Sequence, residues 1–290
     1  MEAFLFSMAG MLCFGISNCL WRPLYHYNSP WQVMWKRSVF TAPFMTAIIF
    51  LFFQQKVTQL HPVDYLRPLP WIMLSYLGLV FFTRSLVSQP AGVSGVLILF
   101  LGIFGSLVAF YDGAAELPAH LPLILLLYIS GFLLIDSGLL VQRKRPDSGN
   151  LMALSAALCW ALASYGMKKT MMTTGPWVMG SLQEWTVFSI SGMVVLYTSR
   201  GKDYLPNPQT SGFKTVFPVV VLALLTIAGV VMTNLSMHRL NLFQIALVSM
   251  VQPASTLLFS RVVQNEKLNL REITGGLLLM AGAFLCMVEG

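Results

Sequence analysis

Ten predominantly apolar runs alternate with short polar stretches along the chain, over residues 2–21, 31–53, 70–88, 94–112, 119–141, 150–168, 176–199, 214–237, 242–263 and 270–288. A hydrocarbon core of about 30 Å takes about 20 helical residues to cross, so each run is long enough for one crossing. Turn-forming residues mark the cuts: Asn28-Ser29-Pro30, Pro68-Leu69-Pro70, Gln89-Pro90-Ala91-Gly92, Pro146-Asp147-Ser148-Gly149, Thr174-Gly175-Pro176 and Pro206-Asn207-Pro208 all fall between runs. The pattern predicts an all-α integral membrane protein with ten transmembrane helices. The first run begins at Glu2 without a basic leader, so it reads as a retained helix and not as a cleaved signal peptide.

Composition narrows the function. Of 290 residues, 56% are apolar and 10% charged, and the mean hydropathy is +0.71. Ten crossings consume about 200 residues, which leaves no room for a soluble catalytic domain. Cys13, Cys19, Cys159 and Cys286 lie inside apolar runs and read as small buried hydrophobes. His26, His61, His120 and His238 stand at loop positions without metal spacing, and HExxH, GxSxG and P-loop motifs are absent from the sequence. No enzyme, cofactor or metal centre is expected. The net charge of +7 mostly decorates loops and forms no basic, aromatic-interleaved patch, so nucleic acid is not an expected partner. The Asn234-Leu235-Ser236 sequon lies within a run and is not an expected glycosylation site.

An internal repeat runs through the chain. Leu12-Cys13-Phe14-Gly15-Ile16-Ser17 matches Leu158-Cys159-Trp160-Ala161-Leu162-Ala163, and Pro30-Trp31 matches Pro176-Trp177, both at an offset of 146. Glu116-Leu117 against Glu266-Lys267 and Ser130-Gly131 against Ala281-Gly282 follow at 150 and 151. The expected organisation is a first five-helix repeat over residues 1–142, a linker over 143–149 and a second repeat over 150–290. Five is odd, so the second half enters the membrane from the opposite side. This inverted-topology repeat is an architecture of many secondary transporters, with the substrate site near the midplane between halves.

The openings of runs 1 and 6, the basic Arg37 early in run 2, and the segment Glu266-Lys267-Leu268-Asn269-Leu270-Arg271-Glu272-Ile273-Thr274-Gly275-Gly276 resemble the EamA-like transporters of the drug/metabolite transporter superfamily. The resemblance covers essentially the whole chain. The first half departs from it in the hinge Asp112-Gly113-Ala114-Ala115-Glu116-Leu117-Pro118 and lacks the Gly-rich stretch in run 5. The resemblance implies a central cavity walled by helices 1, 3, 4, 6, 8 and 9, and a superfamily whose substrates include amino acids, cations, nucleotide sugars and drugs. It also implies cytoplasmic termini in a bacterial inner membrane. Loop charge points the other way: ten Lys and Arg residues flank the side where run 1 ends and five the opposite side. The orientation expected here follows the resemblance.

Five charges fall inside runs at least four residues from either end: Lys36, Arg37, Arg84, Asp136 and Glu184. Each needs a partner, an aqueous cavity or a snorkelling route. Lys36, Arg37 and Asp136 share one level and read either as a structural cluster or as functional groups. Arg84 reads as a snorkelling base or as a bidentate grip on an anionic group. Glu184 lies about 12 Å past Pro176 and shares a polar stripe with Trp177, Ser181 and Ser191, so it is expected to face inward. It reads either as a coupling carboxylate, able to load and release a proton, or as a static partner of Lys168, Lys169 or Arg239.

The remaining substrate-binding candidates come in repeat-related pairs. Phe14 and Asn18 correspond to Trp160 and Ser164, and Arg84 corresponds to Asn234. Gln244 and Gln252 share a mixed stripe of run 9 with Val248 and Ser255. For Asn18, Asn234, Gln244 and Gln252 the alternative is interhelical hydrogen bonding. For Phe14, Trp160 and Tyr165 it is plain packing. The resulting expectation is a secondary active transporter of a small metabolite in the lipid bilayer, with an amino acid or related carboxylate as first choice of substrate and protons as a coupling ion. The alternatives are a cation or drug exporter using Glu184 and aromatic walls, or a non-transporting membrane scaffold or receptor.

Overall fold

The computed structural model describes residues 2–25, 28–111, 113, 120–135, 147–199, 213–237, 239–240, 248–249, 251–265 and 269–289. The described residues form thirteen helical segments and no strand: α1 (Glu2–Leu24), α2 (Pro30–Phe52), α3 (Gln54–Thr58), α4 (Pro62–Leu66), α5 (Leu69–Ser88), α6 (Ala91–Leu97), α7 (Phe100–Tyr111), α8 (Leu121–Ile135), α9 (Ser148–Thr174), α10 (Pro176–Ser199), α11 (Phe213–Met237), α12 (Val251–Val263) and α13 (Leu270–Glu289). Among the described residues, each of the ten expected runs contains helix. Among the described residues, four stretches are long and apolar enough to cross a bilayer unaided: Glu2–Leu24, Pro62–Ser88, Ser148–Thr174 and Val216–Ser236.

The ends of these helices follow from local chemistry. At α2 the Ser29 hydroxyl accepts from Gln32 N–H at 3.3 Å and the Gln32 side-chain Oε1 accepts from Ser29 N–H at 2.9 Å, with Pro30 at the first helical position. Two orphan amide donors are thereby satisfied at once. The Asp147 carboxylate accepts from Gly149 N–H at 2.7 Å and opens α9. Gly175, at φ 83°, closes α9, and Pro176 starts α10 directly after it. A residue with a Cβ resists that left-handed conformation, so this glycine permits the sharp reversal.

Two differences from the expected runs matter for the site. Run 4 is not one helix: α6 stops at Leu97 and α7 starts at Phe100. Between them the hydrogen bonds shorten to three-residue spacing, Leu99 N–H to Val96 O and Leu101 N–H to Ile98 O, while the Leu99 carbonyl accepts from the Tyr128 hydroxyl at 2.9 Å. That carbonyl also accepts from Gly102 N–H at 3.0 Å, so the turn is tightened to three-residue spacing with its carbonyl doubly bonded. Run 9 is helical over Val251–Val263, and Gln244 lies outside the described residues, as does Asp136 beyond the end of α8.

The helices pack in pairs that respect the repeat. α1 packs on α11 and α12, and α9, its equivalent, packs on α5, α6 and α7. α2 packs on α10, α8 on α13, and α6 on α12. Replacing every element by its counterpart in the other half maps this set of pairings onto itself. Close approach depends on small residues: at Gly131 a Cβ would fall 2.8 Å from the Gly275 carbonyl oxygen, so α8 and α13 meet backbone to backbone.

Candidate functional site

A cavity of about 280 Å³ occupies the centre of this arrangement. α1 contributes Phe14, Asn18 and Trp21, α2 Arg37, α5 Tyr76 and Phe82, the α6–α7 break Ile98 and Leu99, α9 Trp160, Ser164 and Tyr165, α10 Gln183 and Glu184, α11 Thr226 and Asn234, and α12 Gln252. Its size lies near the lower end of the range of about 300–1,000 Å³ common for small-molecule sites. Aromatic and aliphatic walls dominate, with amides and hydroxyls set among them.

The aromatic walls sit in matched notches. A Cβ at Gly78 on α5 would fall 2.7 Å from the Trp160 ring, and one at Gly229 on α11 would fall 2.7 Å from the Phe14 ring. Phe14 and Trp160 are equivalent in the repeat, and so are Gly78 and Gly229 at an offset of 151. Each half thus seats its aromatic ring against a bare stretch of the other half's helix. Trp160 is fixed further by its indole N–H, which donates to the Ser75 carbonyl at 3.0 Å, and by the Phe82 ring, whose centroid lies 5.4 Å away.

The electrostatic centre is an ion pair. Arg37 Nη2 donates to Glu184 Oε2 at 3.0 Å and to Oε1 at 3.3 Å, and the Thr41 hydroxyl also donates to Glu184 Oε2. Arg37 Nη1 reaches Thr226 Oγ1 at 3.5 Å, and the guanidinium lies over the Trp21 ring at 5.7 Å. Arg37 is 5% exposed and Glu184 4%. They are the two charged residues among those lining the cavity, so the described lining is neutral overall.

The sequence candidates divide accordingly. Phe14, Asn18, Trp160, Ser164, Asn234, Gln252 and Glu184 all line the cavity. Asn18 Nδ2 donates to Thr256 Oγ1 at 3.1 Å, and Asn234 Nδ2 donates to Pro176 O at 3.3 Å, so both amides also bridge helices. Gln244 falls outside the described residues. Arg84 requires a correction, because it is exposed, does not line the cavity and holds its guanidinium 5.7 Å from the Trp31 ring centroid. Near the end of α5 an arginine gains more from an aromatic face and the polar interface than from a neutral chamber. The partners considered for Glu184 are also displaced: Lys168 donates to the Leu240 carbonyl at 3.2 Å and Lys169 lies over the Tyr165 ring at 4.6 Å. Lys36 donates to Asn28 Oδ1 at 2.6 Å.

Arg37 lines the cavity, whereas the sequence left it open between a structural cluster with Lys36 and Asp136 and a functional role. A signal existed, because Arg37 is the seventh residue after Pro30 and Glu184 the eighth after Pro176, which makes them near-equivalents in the repeat. The inward stripe of α10 agrees with expectation: Ser181, Glu184 and Ser191 are buried, Ser181 within 3.2 Å of the Thr46 hydroxyl and Ser191 within 3.1 Å of the Tyr76 hydroxyl.

Residues 147–288 match the sequence model of the EamA-like transporter family. The second half of the chain is therefore similar to that family. A solved structure, described only as the crystal structure of a protein, aligns with 98% of this chain and 95% of its own at a TM-score of 0.68 and 16% identity. At that identity it establishes a shared fold, first half included. No curated protein matches the sequence. The family match covers the second half of the chain, and four described stretches are long and apolar enough to cross a membrane, so the central chamber is the place to look for transport.

Proposed function

We propose that this EamA-like protein is a secondary transporter that carries a small amphipathic metabolite through the central cavity by alternating access. The observation that carries the reading is the chamber itself: both halves line it, aromatic rings from each half face it, and a neutralised ion pair lies in its wall. A soluble-enzyme pocket needs no such two-sided enclosure, whereas a transporter needs a site that either half can expose in turn. The exchange symmetry of the helix pairings supports an inverted-topology repeat, in which one half rocks against the other.

Phe14 and Trp160 would sandwich an apolar body, while Asn18, Ser164, Asn234 and Gln252 supply donors and acceptors for a polar head. Amino acids and related carboxylates satisfy this description, with Arg37 in place of Arg84 as the cation available to them. Glu184 serves as the coupling carboxylate in this reading, since loading a proton there and releasing Arg37 are one event. The test is a thermal-shift screen of the purified protein against metabolite classes, followed by counterflow of the best ligand in proteoliposomes. Ligand-dependent counterflow that disappears in Trp160→Ala is the expected result. Counterflow unaffected by Trp160→Ala, Asn234→Ala and Gln252→Ala would move the pathway out of this cavity.

A further inference from the structure

Arg37 lines the chamber and has unspent donor capacity. Its Nη2 is committed to Glu184 and its Nη1 to a long contact with Thr226, but Nε, although buried, has no hydrogen-bond partner. A guanidinium carries five N–H donors in a fixed planar fork, and a buried donor left unmade is costly. Resting on the reading of this cavity as the substrate site, we propose that the Arg37–Glu184 pair is a charge-balance filter: Arg37 accepts an anionic group only when a cation arrives at Glu184 with it, either an ammonium on the same ligand or a proton.

The argument is electrostatic. The pair is neutral, nearly closed off from solvent, and surrounded by aromatic and aliphatic walls. An anion alone would leave one uncompensated negative charge in the chamber, and a cation alone one positive charge, each of which a low-dielectric site penalises heavily. A zwitterion leaves none, because its carboxylate takes Arg37 while its ammonium takes Glu184. A monocarboxylate leaves none when one proton binds Glu184, giving a neutral carboxyl group and a new guanidinium–carboxylate pair.

Other groups on the packed elements do not supply the balance. On α5 the Tyr76 hydroxyl is engaged with Ser191, on α9 Lys168 turns to the Leu240 carbonyl and Lys169 to the Tyr165 ring, and on α2 Lys36 turns to Asn28. α11 presents Thr226, Thr233 and Asn234 to the cavity, none of them titratable.

Three probes with one branched aliphatic body separate the cases: leucine carries both charges, isopentylamine only the cation and 4-methylpentanoate only the anion. Calorimetric titration of the purified full chain, in two buffers of different ionisation enthalpy, counts protons taken up on binding. Leucine is expected to bind without proton uptake, 4-methylpentanoate with uptake of about one proton, and isopentylamine about tenfold or more weaker than leucine. In Glu184→Gln the anion is expected to bind without proton uptake.

Anion binding without proton uptake in the parent protein, or amine binding as tight as leucine, would overturn the filter. If Trp160→Ala weakens that binding, the cavity reading stands while the filter falls. Failure of all three probes to bind would overturn both. Should Glu184→Gln not fold, Arg37→Gln with Glu184→Gln removes both charged partners while keeping the chamber neutral, and leucine is expected to bind about tenfold or more weaker than to the parent. Leucine bound as tightly by that double variant as by the parent would overturn the proposal.

Discussion

The Trp160 ring lies on Gly78, where a Cβ atom would come within 2.7 Å of it. The ring has little freedom to yield, since its N–H is bonded to the Ser75 carbonyl and its face is backed by Phe82. Gly78→Ala is therefore expected to cost about 1–3 kcal/mol through overpacking and to weaken ligand binding by displacing the ring into the cavity. Combining it with Trp160→Phe should recover part of the stability, because the smaller ring vacates the notch. Thermal unfolding of the four proteins of this cycle measures the coupling, and strictly additive effects would show that the contact does not hold the ring.

Removing one partner of the buried pair should be far worse than removing both. Arg37→Met leaves an ionised carboxylate without its counter-charge in an apolar wall, and losses of about 3–5 kcal/mol are typical of such breaks. The double variant Arg37→Met with Glu184→Gln removes the orphan and should unfold nearer the parent temperature. Equal destabilisation by single and double variants would mean that the pair's charge balance is not what holds α2 to α10.

Arg84 should prove dispensable for binding. Its contact with Trp31 is a cation–π interaction at an exposed position, worth about 0.5–1 kcal/mol. Arg84→Lys is expected to leave the ligand dissociation constant unchanged and to lower stability slightly. Arg37→Lys, in contrast, should weaken binding of a carboxylate ligand, because an ammonium lacks the planar fork that engages two oxygens. The reverse ranking in a binding titration would restore Arg84 as the anion-gripping residue.

Coupling is separable from exchange. With Glu184→Gln, gradient-driven uptake or efflux in proteoliposomes should be lost while exchange of a carboxylate ligand persists, because Arg37 remains and no proton is needed to load it. Equal loss of both activities would assign Glu184 a purely structural role, and unchanged driven transport would remove it from coupling.

Hydropathy and turn chemistry by themselves marked ten runs that each contain helix among the described residues, and the residues at which many begin, because a bilayer-length apolar run, a Ser29–Gln32 capping box and a Gly175-Pro176 reversal are local in sequence. The repeat, also legible in the chain, paired Phe14 with Trp160 and placed both on the future cavity wall. Which charges meet was decided only by tertiary packing. Arg37 and Glu184 are 147 residues apart, and α2 must lie against α10 before either has a partner. Arg84, with equal charge and similar depth along its helix, lies off the chamber because its face of α5 turns toward Trp31. The tightened turn between α6 and α7 is likewise invisible to composition, and there the Leu99 carbonyl meets the Tyr128 hydroxyl of α8. Sequence periodicity reports how a helix divides its own faces, but an ion pair, a glycine notch or a hydroxyl on a carbonyl is a property of two elements at once, and their meeting is set by the fold.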